Sequence, residues 1–285
     1  MTKQSSVGMH KFLPHHALSL LVGWLADRRW KWLKNRFIAW FIKRYNVDMT
    51  EALYSDYHAY STFNEFFTRH LRSGVRPVDA NPNAIISPVD GAVSELGRLT
   101  GDRILQAKGK FYDLTALLGG CAEHVECFQE GEFLTAYLAP KDYHRIHMPI
   151  AGRLLEMIHV PGRLFSVNPI SVAHIDNLFA RNERVVCLFE TALGPMAMVI
   201  VGAMLVGSIV TVWHGQVTPP TRKTVHRFND HKENIELGRG DEIGHFKIGS
   251  TVILLFPKNS ITWHERLKAD SIIKLGEMIA TPKNK

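Results

Sequence analysis

The stretch Phe246-Lys247-Ile248-Gly249-Ser250-Thr251-Val252-Ile253-Leu254-Leu255-Phe256 decides how this chain is read. Its second half is an uninterrupted apolar run rich in branched side chains, the mark of a strand buried on both faces. Gly249 precedes it with a backbone that bends easily. The Ser250 hydroxyl can then approach the carbonyl of the peptide bond before it. With a base to take its proton, it attacks the Gly249 carbonyl and turns the amide into an ester. Elimination leaves a dehydroalanine, which hydrolyses to a pyruvoyl group heading a new chain. Taken alone, Gly-Ser-Thr reads as a turn into a strand, so the rest of the chain has to decide.

Working outward, the region after Ser87 is written in short apolar runs punctuated by Gly and Pro. Strands are predicted at 91–96, 133–138, 153–160, 184–190, 196–201, 205–213 and 251–256. The run Met196–Trp213 is nearly uncharged, but Gly202, Gly207 and its valines and isoleucines favour two buried strands over a spanning helix. Segment 218–242 is polar and basic and reads as an exposed approach to Gly249. Upstream, helical signals occupy 50–72, where Thr62 and Glu65 have the spacing of a capping box. The expected fold class is α+β: N-terminal amphipathic helices packed on a predominantly β, sandwich- or barrel-like catalytic body. The expected division is 1–75 for the helical region and 76–285 for the β-rich domain.

The net charge of +7 over 285 residues sits at the front. Residues 1–45 hold nine Lys/Arg and one Asp, a balance of +8, so the remaining residues sum to −1. Trp24, Trp30, Trp32 and Trp40, four of the six tryptophans, share that segment with Phe37 and Phe41. From Leu13 to Tyr45 the apolar positions recur every three or four residues, with cations on the other face. Such a helix lies in a bilayer interface, each cation near anionic headgroups contributing on the order of 1 kcal/mol. The alternative is a surface helix packed on its own core. No stretch there reaches the ~20 apolar residues of a span, and no nucleic-acid motif accompanies the basic residues, so nucleic acid is not an expected partner. Three cysteines without CxxC spacing fit a reducing compartment. No signal peptide is evident.

A serine needs a base, and the base needs an orienting group. The chain offers Asp90 in Pro88-Val89-Asp90-Gly91, and His144 and His147 in Tyr143-His144-Arg145-Ile146-His147. Asp90 alone reads as a turn residue. His-x-x-His with an acid also reads as a metal site, but the helical HExxH context is missing, so no metal is expected. The order Asp, His, Ser leaves a membrane-associated serine hydrolase using Asp90, His147 and Ser250 as the alternative, without a G-x-S-x-G elbow.

Three separated segments, Ser87–Gly91, Tyr143–Pro149 and Ile248–Thr251, together with Phe63–Arg69 and Arg76-Pro77, resemble the bacterial phosphatidylserine decarboxylases. The similarity runs in order from about residue 50 to the C-terminus. It departs at Ile248, where leucine is usual, a volume-conserving change. The resemblance implies self-cleavage between Gly249 and Ser250, and a covalent pyruvoyl cofactor made from Ser250. It implies decarboxylation of phosphatidylserine to phosphatidylethanolamine through a Schiff base on that group. Asp90 then orients His147, His147 deprotonates Ser250, and His144 binds substrate and donates a proton to the decarboxylated carbon. Ser166, in Pro161–Pro169, is implied near the substrate. The resemblance further implies a heterodimer of the two cleavage products, open to homodimerisation. It would lie peripherally on the cytoplasmic face of the cell membrane, against anionic lipid.

Overall fold

The computed structural model describes residues 23–120, 122–203, 208–218, 224–228, 234–247 and 250–283. Ile248 and Gly249, the segment 13–22, and parts of 205–213 and 218–242 therefore lie outside the described residues.

The apolar run after Gly249 forms strand Ser250–Phe256, all seven residues buried. It lies inside a nine-stranded antiparallel sheet, between Gly194–Gly202 and Glu132–Leu138. Beyond Gly194–Gly202 follow Arg184–Thr191, Gly152–Val160 and the short His226–Phe228. Beyond Glu132–Leu138 follow Gly91–Arg98 and Ile272–Ile273. A strand with neighbours on both edges and layers on both faces exposes nothing to water, which is why its sequence does not alternate.

Alternation survives in which core each side chain enters. Val252, Leu254 and Phe256 point into one core with Ile146, Ile209, Ile243, Phe246 and Ile279. Two smaller sheets close that face. One runs Gly215–Gln216, Ile209–Thr211, Glu242–Phe246, Arg145–His147, and the other Ile85–Ile86, Met278–Pro282, Ile261–Trp263. Ile253 and Leu255 point the other way, among Tyr112, Leu117, Phe128 and Phe179. That face is covered by the hairpin Arg103–Ala107/Lys110–Asp113 and four short helices between Leu114 and Arg181. The α+β class with a mostly β body holds.

The N-terminal region has its own core of Ile38, Phe41, Phe63, Phe66 and Phe67. Helix Lys31–Tyr45 ends at Asn46, whose left-handed backbone is one that asparagine tolerates. Trp24, Trp30, Trp32, Phe37 and Trp40 are exposed, Trp32 by 74%. Phe41 corrects the expected membrane-associating set, because it is only 6% exposed and packs edge-on against Phe63, Phe66 and Phe67. The helical expectation for 50–72 is also too long. Only Tyr57–Ala59 and Phe63–Phe67 are helical. Thr62 caps the second through the Glu65 N–H, and Glu65 in turn accepts from the Ser61 N–H. Beyond it, Leu71 bridges to Ala52, and the His70 carbonyl accepts from the Leu53 N–H.

Candidate active site

Ser250 occupies the first position of the central strand, opposite Leu138 on one side and Gly202 on the other. It shares its face with Val252 and Leu254, so its hydroxyl points toward the layer that carries Arg145–His147. The residue is 0% exposed, and Oγ has no hydrogen-bond partner among the described residues. Buried hydroxyls without a partner are uncommon, and among the described residues those of Thr135 and Thr251 share this state with Ser250.

The chain leaves Leu138 through Ala139-Pro140 and returns as the loop bearing Tyr143 and His144. Strand pairing thus brings that loop to the Ser250 end of the sheet. His144 is fully buried and its ring stacks on Phe67, 4.1 Å between centroids. Neither ring nitrogen makes a well-formed hydrogen bond among the described residues, although the carbonyls of Ala139 and Pro140 lie close enough to favour the charged form weakly. Burial, reinforced by the positive charge of Arg69, pushes the His144 pKa down to about 3. This imidazole is neutral in the resting site.

His147 is held at three points. Its N–H donates to the Pro88 carbonyl at 2.9 Å, tying it to the turn that carries Asp90. Its Nδ1 lies 2.8 Å from the Gly240 carbonyl, and Nε2 lies 3.2 Å from the Tyr143 hydroxyl. A carbonyl only accepts, so Nδ1 carries the proton and Nε2 the lone pair. Burial lowers the His147 pKa, against the opposing pull of the Gly240 carbonyl, Glu242 and Asp90. The result is a neutral imidazole of defined tautomer, poised to accept a proton.

Asp90 is buried beside Gly91 and makes no hydrogen bond to His147. Its Oδ1 accepts from the Leu275 N–H at 2.8 Å and its Oδ2 from Arg76 Nη2 at 2.6 Å. Arg76 also holds Glu51 at 2.6 Å. The expected direct orientation of His147 by Asp90 is therefore not the contact present. The Gly240 carbonyl holds Nδ1, and Asp90 reaches His147 through space as a negative charge. Gly240 is itself fixed by its N–H on the Met148 carbonyl.

Ser166 is half-buried in a loop tied to the other neighbour of the serine strand. The Asn182 side chain bonds both backbone groups of Phe165 and the carbonyl of Gly202, the residue opposite Ser250. Strand pairing thus sets the His144 loop and the Ser166 loop at the two neighbours of the Ser250 strand end and Asp90 one strand further out, beyond Leu138, with His147 tied to the Asp90 turn through Pro88. Sequence reasoning assigned no role to Tyr143, Phe67 or Arg76, although all three lie in quoted motifs. The Gly240 carbonyl has no side-chain signal at all. Among the described residues no cluster of three or more His, Cys, Asp or Glu is placed to hold a metal.

A family model described as Phosphatidylserine decarboxylase matches residues 63–281, and a second, described only as PSD, matches 6–46. The chain is 55% identical to the phosphatidylserine decarboxylase proenzyme of Coxiella burnetii strain RSA 331 over 273 residues, 96% of each chain. It is 54% identical to that of Ectopseudomonas mendocina over 269 residues, 94% of each. With the Pseudomonas fluorescens SBW25 protein of the same description it shares 52% over 285 residues, 99% of this chain and all of the other.

Proposed function

The chain belongs to the phosphatidylserine decarboxylase family, and from that premise we propose that Ser250 first cuts the chain and then carries the group on which the lipid is decarboxylated. Carbon dioxide leaves phosphatidylserine, a proton replaces it, and phosphatidylethanolamine is released. The observation that carries the reading is the buried Ser250 hydroxyl without a partner among the described residues. A hydroxyl with no exposure at the head of a central strand has its own preceding peptide bond as the electrophile within reach.

In the first reaction His147 Nε2 takes the Ser250 proton, and Oγ attacks the Gly249 carbonyl. The acyl group passes from nitrogen to oxygen. Elimination then breaks the Ser250 Cβ–O bond, freeing the Gly249 carboxylate and leaving a dehydroalanine. Water converts this to a pyruvoyl group and ammonia. Asp90 supports the charged imidazole through its field, and the Gly240 carbonyl keeps Nδ1 protonated. The products, residues 1–249 and 250–285, stay together because the five residues after Thr251 are fully buried. Each such side chain is worth roughly 1.5–3 kcal/mol.

Ser250 fits as the source of the prosthetic group, since no other described residue contends for its hydroxyl. The pyruvoyl group supplies an electron-poor carbonyl that holds the substrate amine and accepts the electrons left as carbon dioxide departs. His144 supplies the replacing proton. The resting site keeps it neutral, but the carboxylate and phosphodiester of an entering substrate favour the imidazolium. Donation therefore follows substrate entry. Ser166 borders the same strand end and contacts the headgroup. The exposed tryptophans and the cationic front end lie on the membrane, and no described helix is long and apolar enough to cross it.

Intact mass under denaturing conditions tests this. Active protein is expected as two chains, the smaller beginning at residue 250 with a blocked, pyruvoyl N-terminus. Ser250→Ala, Asp90→Ala and His147→Ala stay at 32.3 kDa. His144→Ala is cut but inactive. A single uncut chain with full activity sinks the mechanism.

A further inference from the structure

Arg69 follows the helix Phe63–Phe67 and is 4% exposed. Its Nη2 donates to the Lys141 carbonyl at 3.0 Å, and its guanidinium carbon lies 5.6 Å from the Phe66 ring centre. Nε and Nη1 are buried and have no acceptor, and no carboxylate stands within ion-pair distance, among the described residues. A guanidinium almost never keeps its charge in the interior without an anion or a full set of acceptors.

Arg69 lines a cavity of about 230 Å³ bounded also by Asp90, Gly91 and Tyr143. Its carboxylates are already engaged. Asp90 and Glu51 share Arg76, Asp48 accepts from both donors of Thr50, and Asp142 accepts the Ala139 N–H. Arg69 is the cation in that wall with buried donors left over. Its charge is also felt by His144, so the cavity lies within electrostatic reach of the proton-donating group.

We propose that Arg69 binds an oxyanion of the substrate headgroup, the phosphodiester or the carboxylate, through Nε and Nη1. This rests on the decarboxylase reading and adds to it the residue that recognises the substrate's negative charge. Charge-assisted bonds of this kind are short and strong and favour arginine over lysine. Pairing Arg69 with an anion also cancels the positive field at His144 as substrate arrives.

The test uses the self-cleaved full chain in detergent with short-chain phosphatidylserine, comparing wild type with Arg69→Gln and Arg69→Lys. Both variants are expected to be cut as wild type is, by mass. The glutamine variant should raise KM at least ~10-fold with kcat within about threefold, and lysine should recover part of the loss. Inorganic phosphate that competes with substrate in wild type, and no longer does in Arg69→Gln, marks a general oxyanion site. A raised KM without phosphate competition marks a site that reads the anion only on the lipid. An unchanged KM in Arg69→Gln overturns the proposal. Should that variant fail to fold, Arg69→Lys decides, with a rise of about threefold expected and an unchanged KM fatal. Wild type that does not decarboxylate short-chain phosphatidylserine refutes the underlying reading instead.

Discussion

The Phe67 ring lies over the imidazole of His144, 4.1 Å between centroids and 24° between planes. The next two residues continue the contact. The Thr68 carbonyl accepts from Arg145 Nε at 2.9 Å, and Arg69 donates to the Lys141 carbonyl. Three consecutive residues of the N-terminal region thereby clamp the loop that bears His144. The helical region helps to build the proposed active site as well as presenting aromatic side chains outward.

The buried His144 makes stability depend on pH, and the sign is fixed. Its pKa is about 3 in the folded chain against 6.5 for the free group, so the unfolded state binds more protons in between. The stability due to neutral His144 is complete above pH 6.5 and is lost as pH falls toward 3. Each unit costs ~1.4 kcal/mol. In the uncut Ser250→Ala background, urea unfolding should lose ~2 kcal/mol more between pH 7 and 5 with His144 present than with His144→Leu. Equal losses in the two chains refute the assignment.

Arg76 neutralises two carboxylates at once, and its side chain and that of Asp90 are each under a tenth exposed. Removing one partner of a buried ion pair is far costlier than the pair is worth, because a bare charge is left behind. Arg76→Met should lower unfolding free energy by ~3–5 kcal/mol, and Arg76→Lys by less, since it keeps the charge but loses the fork. Urea unfolding at pH 7 is the measurement. A loss under ~1 kcal/mol for the methionine variant means that Asp90 is held chiefly by the Leu275 N–H.

How legible this was depended on what each residue had to do. Strands Gly152–Val160, Gly194–Gly202 and Ser250–Phe256 lie within two residues of where their apolar runs predict them, because covering layers leave no room for polar side chains. The hairpin Arg103–Asp113 was passed over, since only alternate positions such as Ile104 and Tyr112 are buried and the signal is weak. In the candidate site, side chains that must be particular residue types can be proposed from the sequence, whereas the carbonyl of Gly240 can be supplied by any residue. Asp90 is expected in the site, whereas its partner Arg76 lies in a quoted motif that carries no assigned role. Phe41 was misplaced because periodicity finds an apolar face without telling what covers it.

That last distinction is testable, because Phe41 and the tryptophans sit on one helical region with opposite exposures. Trp30 and Trp40 are half exposed and Trp32 nearly three-quarters, so an interface can remove their apolar area from water at ~25 cal/mol per Å². Changing all three to alanine should weaken binding to vesicles of anionic phospholipid at least ~10-fold, with the urea midpoint unchanged. Phe41→Ala removes a ring from the core instead, and should cost ~3–5 kcal/mol of stability while folded protein binds vesicles as before. Co-sedimentation measures the first effect and urea unfolding the second. Triple-alanine protein that binds like wild type would show that the aromatic surface does not contact lipid. Loss of binding in both variants would place Phe41 at the interface and contradict its burial.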